Sequence, residues 1–277
     1  MHKVLFCPPD FFQIVDVKNP FMEGVAAVDK AKARAQWESV RKAFADAGYG
    51  LLEIPAVAGL EDMVFAANQT FVGVTSDGRR FIVPSLMRFA SRRREVPHFV
   101  EFFRQNGFEI LDLGLDLAAG EFLEGHGDLL WHTDHRMVWA GYGFRSSWAG
   151  VKKFAARMLS LGIPVVELEL RDPRFYHLDT CLAPLTADAV LIYPGAFTPA
   201  ALETIRAKVA RIYEVPEGEA LDFVCNGVAA NGTFIAAKMT PGLQRALDAE
   251  GLKPRLVDTS EFEKSGGSVY CMKAFVP

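Results

Sequence analysis

The chain has 277 residues, half of them apolar, enough to bury a large core in one domain or two. A formal charge of -4 and a pI near 5.9 give no electrostatic footprint for nucleic acid. No apolar run reaches the ~18 residues of a spanning helix, and the start, Met1-His-Lys-Val-Leu-Phe-Cys-Pro-Pro, lacks the apolar stretch and cleavage site of a signal peptide. No membrane or nucleic-acid partner is expected, and the location expected is cytoplasmic. Cys7, Cys181, Cys225 and Cys271 are scattered without a CxxC pair, which excludes a zinc knuckle or redox dithiol and disfavours a disulfide framework. The basic cluster Arg92-Arg93-Arg94, followed by Glu95, reads as a solvated turn.

In chain order the same event recurs: an amphipathic helix, a stop, then a short apolar strand. The helix over 34–47 carries Trp37, Val40 and Phe44 at helical spacing, stops at Gly48 and gives way to Leu51-Leu-Glu-Ile. The next, over 97–105, presents Phe99, Phe102 and Phe103, stops at Gly107 and leads into Phe108-Glu-Ile-Leu. A third over 148–161 stops at Gly162, before Ile163-Pro-Val-Val-Glu-Leu. A fourth over 200–211 runs into Ile212-Tyr-Glu-Val without a glycine, and a fifth over 243–250 stops at Gly251, before Pro254-Arg-Leu-Val. Glycine suits the left-handed residue that closes a helix. Thr198-Pro199 and Thr240-Pro241 supply the start signal, a capping hydroxyl followed by proline.

After each stop comes a second strand-like segment: 63–74, 121–131, 175–182, 221–229 and 267–275. Roughly 15 to 20 residues beyond the five helix ends stand Asn68, Glu124, His177, Asn226 and Cys271. Five units around an axis would bring these positions together. Strand alternation would send Leu178 into the core and place His177 and Asp179 together on the opposite face.

The motifs Asp62-Met-Val-Phe-Ala-Ala-Asn68, Phe122-Leu-Glu-Gly-His-Gly-Asp128, His177-Leu-Asp-Thr180 and Ser260-Glu-Phe-Glu-Lys-Ser-Gly-Gly-Ser-Val-Tyr-Cys271 occur in this order over nearly the whole chain. Together they resemble the guanidine-modifying enzyme superfamily of arginine deiminases, arginine dihydrolases, dimethylarginine dimethylaminohydrolases and amidinotransferases. The resemblance implies an α/β pentein fold, a five-bladed propeller of ββαβ units with pseudo-fivefold symmetry, as one domain over residues 1–277. Typical arginine deiminases carry an inserted helical domain, for which five evenly filled units leave no room.

For that family a guanidinium carbon is a poor electrophile, and a thiolate held against it splits one hard step into two. Cys271 would attack, an amine would leave, and water would hydrolyse an S-alkylthiouronium intermediate. His177 would protonate the amine and then deprotonate the water, a double role suited to imidazole. The competing reading for His177 is a hydrogen-bonded core histidine. A thiol near pKa ~8.5 needs help to ionise, from the cationic substrate or from His177 as imidazolium.

Glu124, Asp128 and Asp179 are candidates to hold the guanidinium. Deiminases resemble one another in Glu-Gly-Gly-Asp; the extra residue in Glu124-Gly-His-Gly-Asp128 leaves open which acid meets substrate and whether His126 intrudes on the site. Asn68 stands where deiminases and dimethylargininases have an acid and arginine dihydrolases an asparagine. An amide there would help position a second water and permit removal of both terminal nitrogens. Asn226, the fourth unit's equivalent, reads as a backbone cap. Arg145 resembles the carboxylate-binding arginine of the family, with Arg88 a second candidate. The expected activity is hydrolysis of the guanidino group of arginine or a methylated arginine, a small-molecule guanidino amino acid, without metal or organic cofactor. Amidino transfer to an amine and a non-catalytic binding protein on the same fold are the alternatives, and homo-oligomerisation is left open.

Overall fold

The computed structural model describes residues 3–277; Met1 and His2, the first residues of the stretch read above as leaderless, lie outside the described residues. Among the described residues fifteen strands form five three-stranded sheets. Blade 1 joins the two chain ends: β1 (Lys3–Phe6) lies between β15 (Ala274–Val276), antiparallel, and β2 (Gly50–Glu53), parallel, so that Val4 faces both Phe275 and Leu51. Blade 2 holds β3 (Thr70–Val74), β4 (Arg80–Pro84) and β5 (Glu109–Ile110), and blade 3 holds β6 (Leu129–Trp131), β7 (Val138–Tyr142) and β8 (Val165–Glu169). Blade 4 comprises β9 (Leu182–Thr186), β10 (Ala189–Ile192) and β11 (Arg211–Glu214), and blade 5 β12 (Val228–Ala230), β13 (Thr233–Ala236) and β14 (Lys253–Leu256).

Every blade has the same grammar. Its inner strand runs antiparallel to the middle strand, which pairs in parallel with the outer one. A parallel pair requires a crossover, and a helix supplies it. These helices are α1 (Lys30–Asp46), α2 (Val96–Gln105), α3 (Trp148–Ser160), α4 (Pro199–Arg206) and α5 (Pro241–Glu250). Inner strands pack on one another, β9 on β12 and β3 on β15, and are largely buried, whereas β14 is exposed throughout. The result is the five-bladed pentein propeller.

The helix signals are borne out. Trp37, Val40 and Phe44 form the buried face of α1, and Phe99 and Phe103 that of α2. Gly48, Gly107, Gly162 and Gly251 all adopt left-handed backbone, and Thr198 and Thr240 accept from the backbone N–H groups of Ala201 and Leu243. Two boundaries are corrected: α1 begins at Lys30, capped by Asp29, rather than at 34, and α4 ends at Arg206 rather than 211. The chain turns there so that Val209 enters the core and Arg211 joins β11, where its guanidinium pairs with Glu250.

Candidate active site

The five polar positions do converge at one end of the inner strands, but they sit in the turns that precede those strands. Helical turns cover 61–64, 125–128, 178–180 and 224–226. Alternation therefore does not place His177 and Asp179. His177 is extended and Leu178 opens a 3₁₀ turn, fixed where the Thr180 hydroxyl donates to the His177 carbonyl at 2.6 Å and Leu178 N–H donates to Asp128 at 3.1 Å. Leu178 still enters the core, fully buried.

Cys271 is held from two blades. Its thiol donates to Asp179 Oδ2 at 3.1 Å, and Asn226 Nδ2 approaches the sulfur at 3.3 Å. Asn226 Oδ1 accepts from Ser268 N–H at 3.0 Å and Cys271 N–H at 3.4 Å, while its Nδ2 also donates to the Asp179 carbonyl at 2.9 Å. The capping role read for Asn226 thus extends to clamping the cysteine loop. A Cβ on Gly267 would lie 2.5 Å from the Phe65 ring and 3.2 Å from Cys271 Cβ, so only glycine lets the loop pass there. Burial, then the adjacent Asp179 carboxylate, push the Cys271 thiol well above its ordinary range. Burial also raises Asp179 to about 7.

Of the two acids in the Glu124–Asp128 motif, Glu124 meets the imidazole. Glu124, fully buried, accepts from His177 Nε2 at 2.8 Å and Arg145 Nη1 at 3.1 Å, and from Arg88 N–H at 2.8 Å. Burial alone would raise its pKa, yet Arg145 and His177 hold it well below the usual carboxylate range. An ionised Glu124 only accepts, so the proton on that contact belongs to His177 Nε2. Asp128 instead ties the turns together through Ser146 N–H at 3.0 Å and Leu178 N–H at 3.1 Å, and burial raises it to about 6. His126 does not intrude. It accepts from Val72 N–H at 3.0 Å and meets the Leu129 carbonyl at 3.0 Å, beside Phe71, and burial drives its pKa down to about 3. The extra residue of this motif is thus a core cross-link.

Arg145 lines the cavity between the rings of Phe89 and Tyr176, 4.7 and 4.5 Å from their centroids, and donates to the Lys18 carbonyl at 3.1 Å. Arg88 does not line it: its side chain is exposed and lies over Phe122. Arg92 does, against the reading of its cluster as a solvated turn. It is 4% exposed and donates to Asn68 Oδ1 at 2.9 Å, Glu95 at 3.0 Å and the Asp62 carbonyl at 3.2 Å. The available signal was Glu95, three residues on, which pairs with it across one turn. Lys18 and Asp62, 3.0 Å apart, were also missed. Lys18 stands alone in a loop; Asp62 opens a recognised motif but faces the cavity only because the preceding turn rotates it there.

The cavity, about 310 Å³ of empty space, has Cys271, His177, Asn68, Asp62 and Arg145 in its wall. Around it, Asp62 Oδ1, Asn68 Nδ2, Asp179 Oδ1 and Ser265 Oγ are buried without a partner in the protein. Buried polar atoms are normally satisfied, so such a cluster marks a place built for a polar ligand. Acceptors and a donor on one side, and a thiol against an acid on the other, suit a cationic substrate with an electrophilic carbon.

A five-bladed pentein ring with a thiol, an imidazole and buried carboxylates at one end of its axis is the architecture of the guanidine-modifying enzymes. Comparisons agree. A family model described as N,N dimethylarginine dimethylhydrolase, eukaryotic, matches residues 15–276. The chain is 36% identical over 264 residues to N(G),N(G)-dimethylarginine dimethylaminohydrolase of Mycobacterium tuberculosis, covering 95% of this chain and 82% of that one. It is 35% identical over 274 residues to the bifunctional arginine dihydrolase/ornithine cyclodeaminase ArgZ of Synechocystis, covering 98% of this chain but spanning 37% of that relative's length. A solved structure of the ArgZ N-terminal domain, described as an arginine dihydrolase of the ornithine-ammonia cycle in cyanobacteria and bound to substrate, superposes with a TM-score of 0.91 at 32% identity, over 100% of this chain and 98% of that one. The chain belongs to the dimethylarginine dimethylaminohydrolase family of the guanidine-modifying superfamily, and it is a hydrolase of guanidino C–N bonds.

Proposed function

We propose that this enzyme, a single domain over residues 1–277, hydrolyses free arginine and removes both terminal nitrogens, leaving ornithine. The observation that carries the reading is Asn68: Arg92 fixes its Oδ1, which leaves Nδ2 as a buried donor without a partner beside His177. Asp62 Oδ1 would take the α-ammonium and Arg145 the α-carboxylate, with Arg88 contributing to the site through its backbone N–H on Glu124.

In the free enzyme the Cys271 thiol keeps its proton on the Asp179 contact. A guanidinium entering beside it offsets the negative charge and favours the thiolate, whose proton passes to the free ring nitrogen of His177. Sulfur adds to the guanidino carbon, His177 protonates the departing nitrogen, and ammonia leaves an S-alkylthiouronium. Water, deprotonated by His177, adds to the same carbon; the C–S bond breaks, the electron pair returns to sulfur, and a ureido group remains. At this stage Asn68 Nδ2 donates to the ureido oxygen, where a carboxylate would repel it. Retention allows a second attack by Cys271, loss of a second ammonia, and hydrolysis of the resulting thiocarbamate to carbamate, which loses carbon dioxide.

The family model and the mycobacterial relative favour a second reading, release of dimethylamine from dimethylarginine. Purified enzyme given each amino acid separately distinguishes the two. Ornithine with two ammonia per arginine is expected. Arrest at citrulline would overturn the double hydrolysis, turnover of dimethylarginine alone would support the second reading, and an amidino group passed to added glycine would replace hydrolysis by transfer.

A further inference from the structure

Among the described residues the side-chain cations buried near the axis are Lys18, which pairs with Asp62, and Arg92, Arg145 and Lys273. Arg92 and Arg145 are ion-paired, with Glu95 and Glu124. Lys273 is 1% exposed, and among the described residues no carboxylate lies within ion-pair distance of it. Its ammonium is held over two aromatic faces, 3.2 Å from the Tyr270 centroid and 4.4 Å from that of Phe275. Cation–π contact offsets part of the cost of such burial without neutralising the charge. Lys273 stands two residues after Cys271, at the head of the inner strand β15, so its place on the axis is fixed by the same segment that presents the thiol.

The titratable groups around it come from three blades. Cys271 and Tyr270 share its own segment, Asp179 comes from the turn before β9, and His126 from the turn before β6. Tyr270 is neutral, its phenol raised well above the ordinary value by burial, and His126 is neutral for the reason given above. Only Asp179 and Cys271 are left to respond. Asp179 carries one oxygen on the thiol and one without a partner, and of the cations acting on it Lys273 precedes Arg145 in effect.

We propose that Lys273 is a positioning residue that acts through charge on the thiol–carboxylate pair: its ammonium, held over the Tyr270 ring beside Cys271 and outside the lining of the substrate cavity, stabilises the single negative charge shared by Asp179 and Cys271. Without it two acids would face each other in a dry site with no cation of their own, and the pair would hold both its protons instead of one. Burial brings Lys273 itself down to about 7, so its charge, and with it the reactivity of the thiol, changes within the neutral range. The inference rests on Cys271 as the nucleophile.

The test is the rate of Cys271 alkylation by iodoacetamide, a neutral probe, against pH, together with thiolate absorbance near 240 nm, in the wild type, Lys273→Met and Lys273→Arg. Methionine keeps the stem in its aromatic site and removes the charge; arginine restores the charge. Lys273→Met should lower the alkylation rate near neutrality roughly tenfold, as expected for a shift of about one pKa unit, with kcat falling in parallel and Lys273→Arg recovering much of both. An unmoved profile in a folded Lys273→Met would overturn the inference and leave Cys271 intact as nucleophile. Should methionine fail to fold, Lys273→Gln carries the same reading. Failure of the wild type to alkylate selectively at Cys271 would overturn the catalytic reading and this inference with it.

Discussion

At the scale of single residues the site separates carboxylates that work from carboxylates that brace. Glu124 and Asp179 touch the imidazole and the thiol, whereas Asp128 spends both oxygens on backbone N–H groups. With Cys271 as the proposed nucleophile, Cys271→Ser should lower turnover by at least roughly a thousandfold and abolish labelling by a haloacetamidine, with the melting temperature nearly unchanged. Asn68→Asp would put a negative charge beside the ureido oxygen; product analysis should then show citrulline accumulating while first-nitrogen release persists. Asp179 supplies a pH test. Its folded pKa, about 7, lies above the unfolded value, so the native state binds the extra proton and stability falls as pH rises from about 4 to 7. Asp179→Asn should flatten that part of the stability curve, with a relative gain at neutral pH of about 1–3 kcal/mol, measured by denaturant unfolding across pH. An identical slope in both proteins would refute the assignment.

Among elements, the turns before the inner strands matter more than the strands. Each delivers a side chain to the axis, and close backbone approach fixes its composition. A Cβ on Gly127 would lie 2.4 Å from Asn68 Nδ2 and 3.1 Å from the His177 ring. Gly127→Ala should therefore cost about 1–3 kcal/mol of stability by overpacking and lower kcat more than it raises KM, because both displaced groups belong to the proposed catalytic site. Chemical denaturation and steady-state kinetics would check the two effects together. This scale also explains where sequence reading failed. Arg88 and Arg92 are four residues apart beside a short helical turn over 90–93, and side-chain type cannot say which faces inward. Contact with Asn68 and Asp62, which precede β3, selects Arg92 along with its near neighbour Glu95, and the first two contacts are not local in sequence. His126 tells the same story: an inserted residue beside the catalytic motif was directed into the core by the Val72 N–H and Leu129 carbonyl.

For the molecule as a whole, the ring is closed by pairing its two ends. β15 begins three residues after Cys271 and is hydrogen-bonded to β1, so ring closure and the placing of Cys271 are coupled. Deleting 274–277 removes the partner of β1 and the buried Ala274 and Val276. That truncation should lower the melting temperature by about 10 °C and abolish activity although Cys271 remains in the chain. Calorimetry with an alkylation assay would show it, and a truncated protein that kept wild-type turnover would contradict this account. Among the described residues no helix is long and apolar enough to cross a membrane.

The amino-acid order alone determined the repeat. Helix faces, glycine stops and threonine caps are local, written within a few residues of where they act, and they set five ββαβ units with a polar group at a matching point in each. Only the closed ring decided how those points are used: which nitrogen of His177 meets Glu124, that Asp128 braces and Arg92 enters, and that Lys273 is buried over Tyr270 and Phe275. Those outcomes depend on contacts between turns of different blades, and distance in sequence carries no record of them until the two ends have paired.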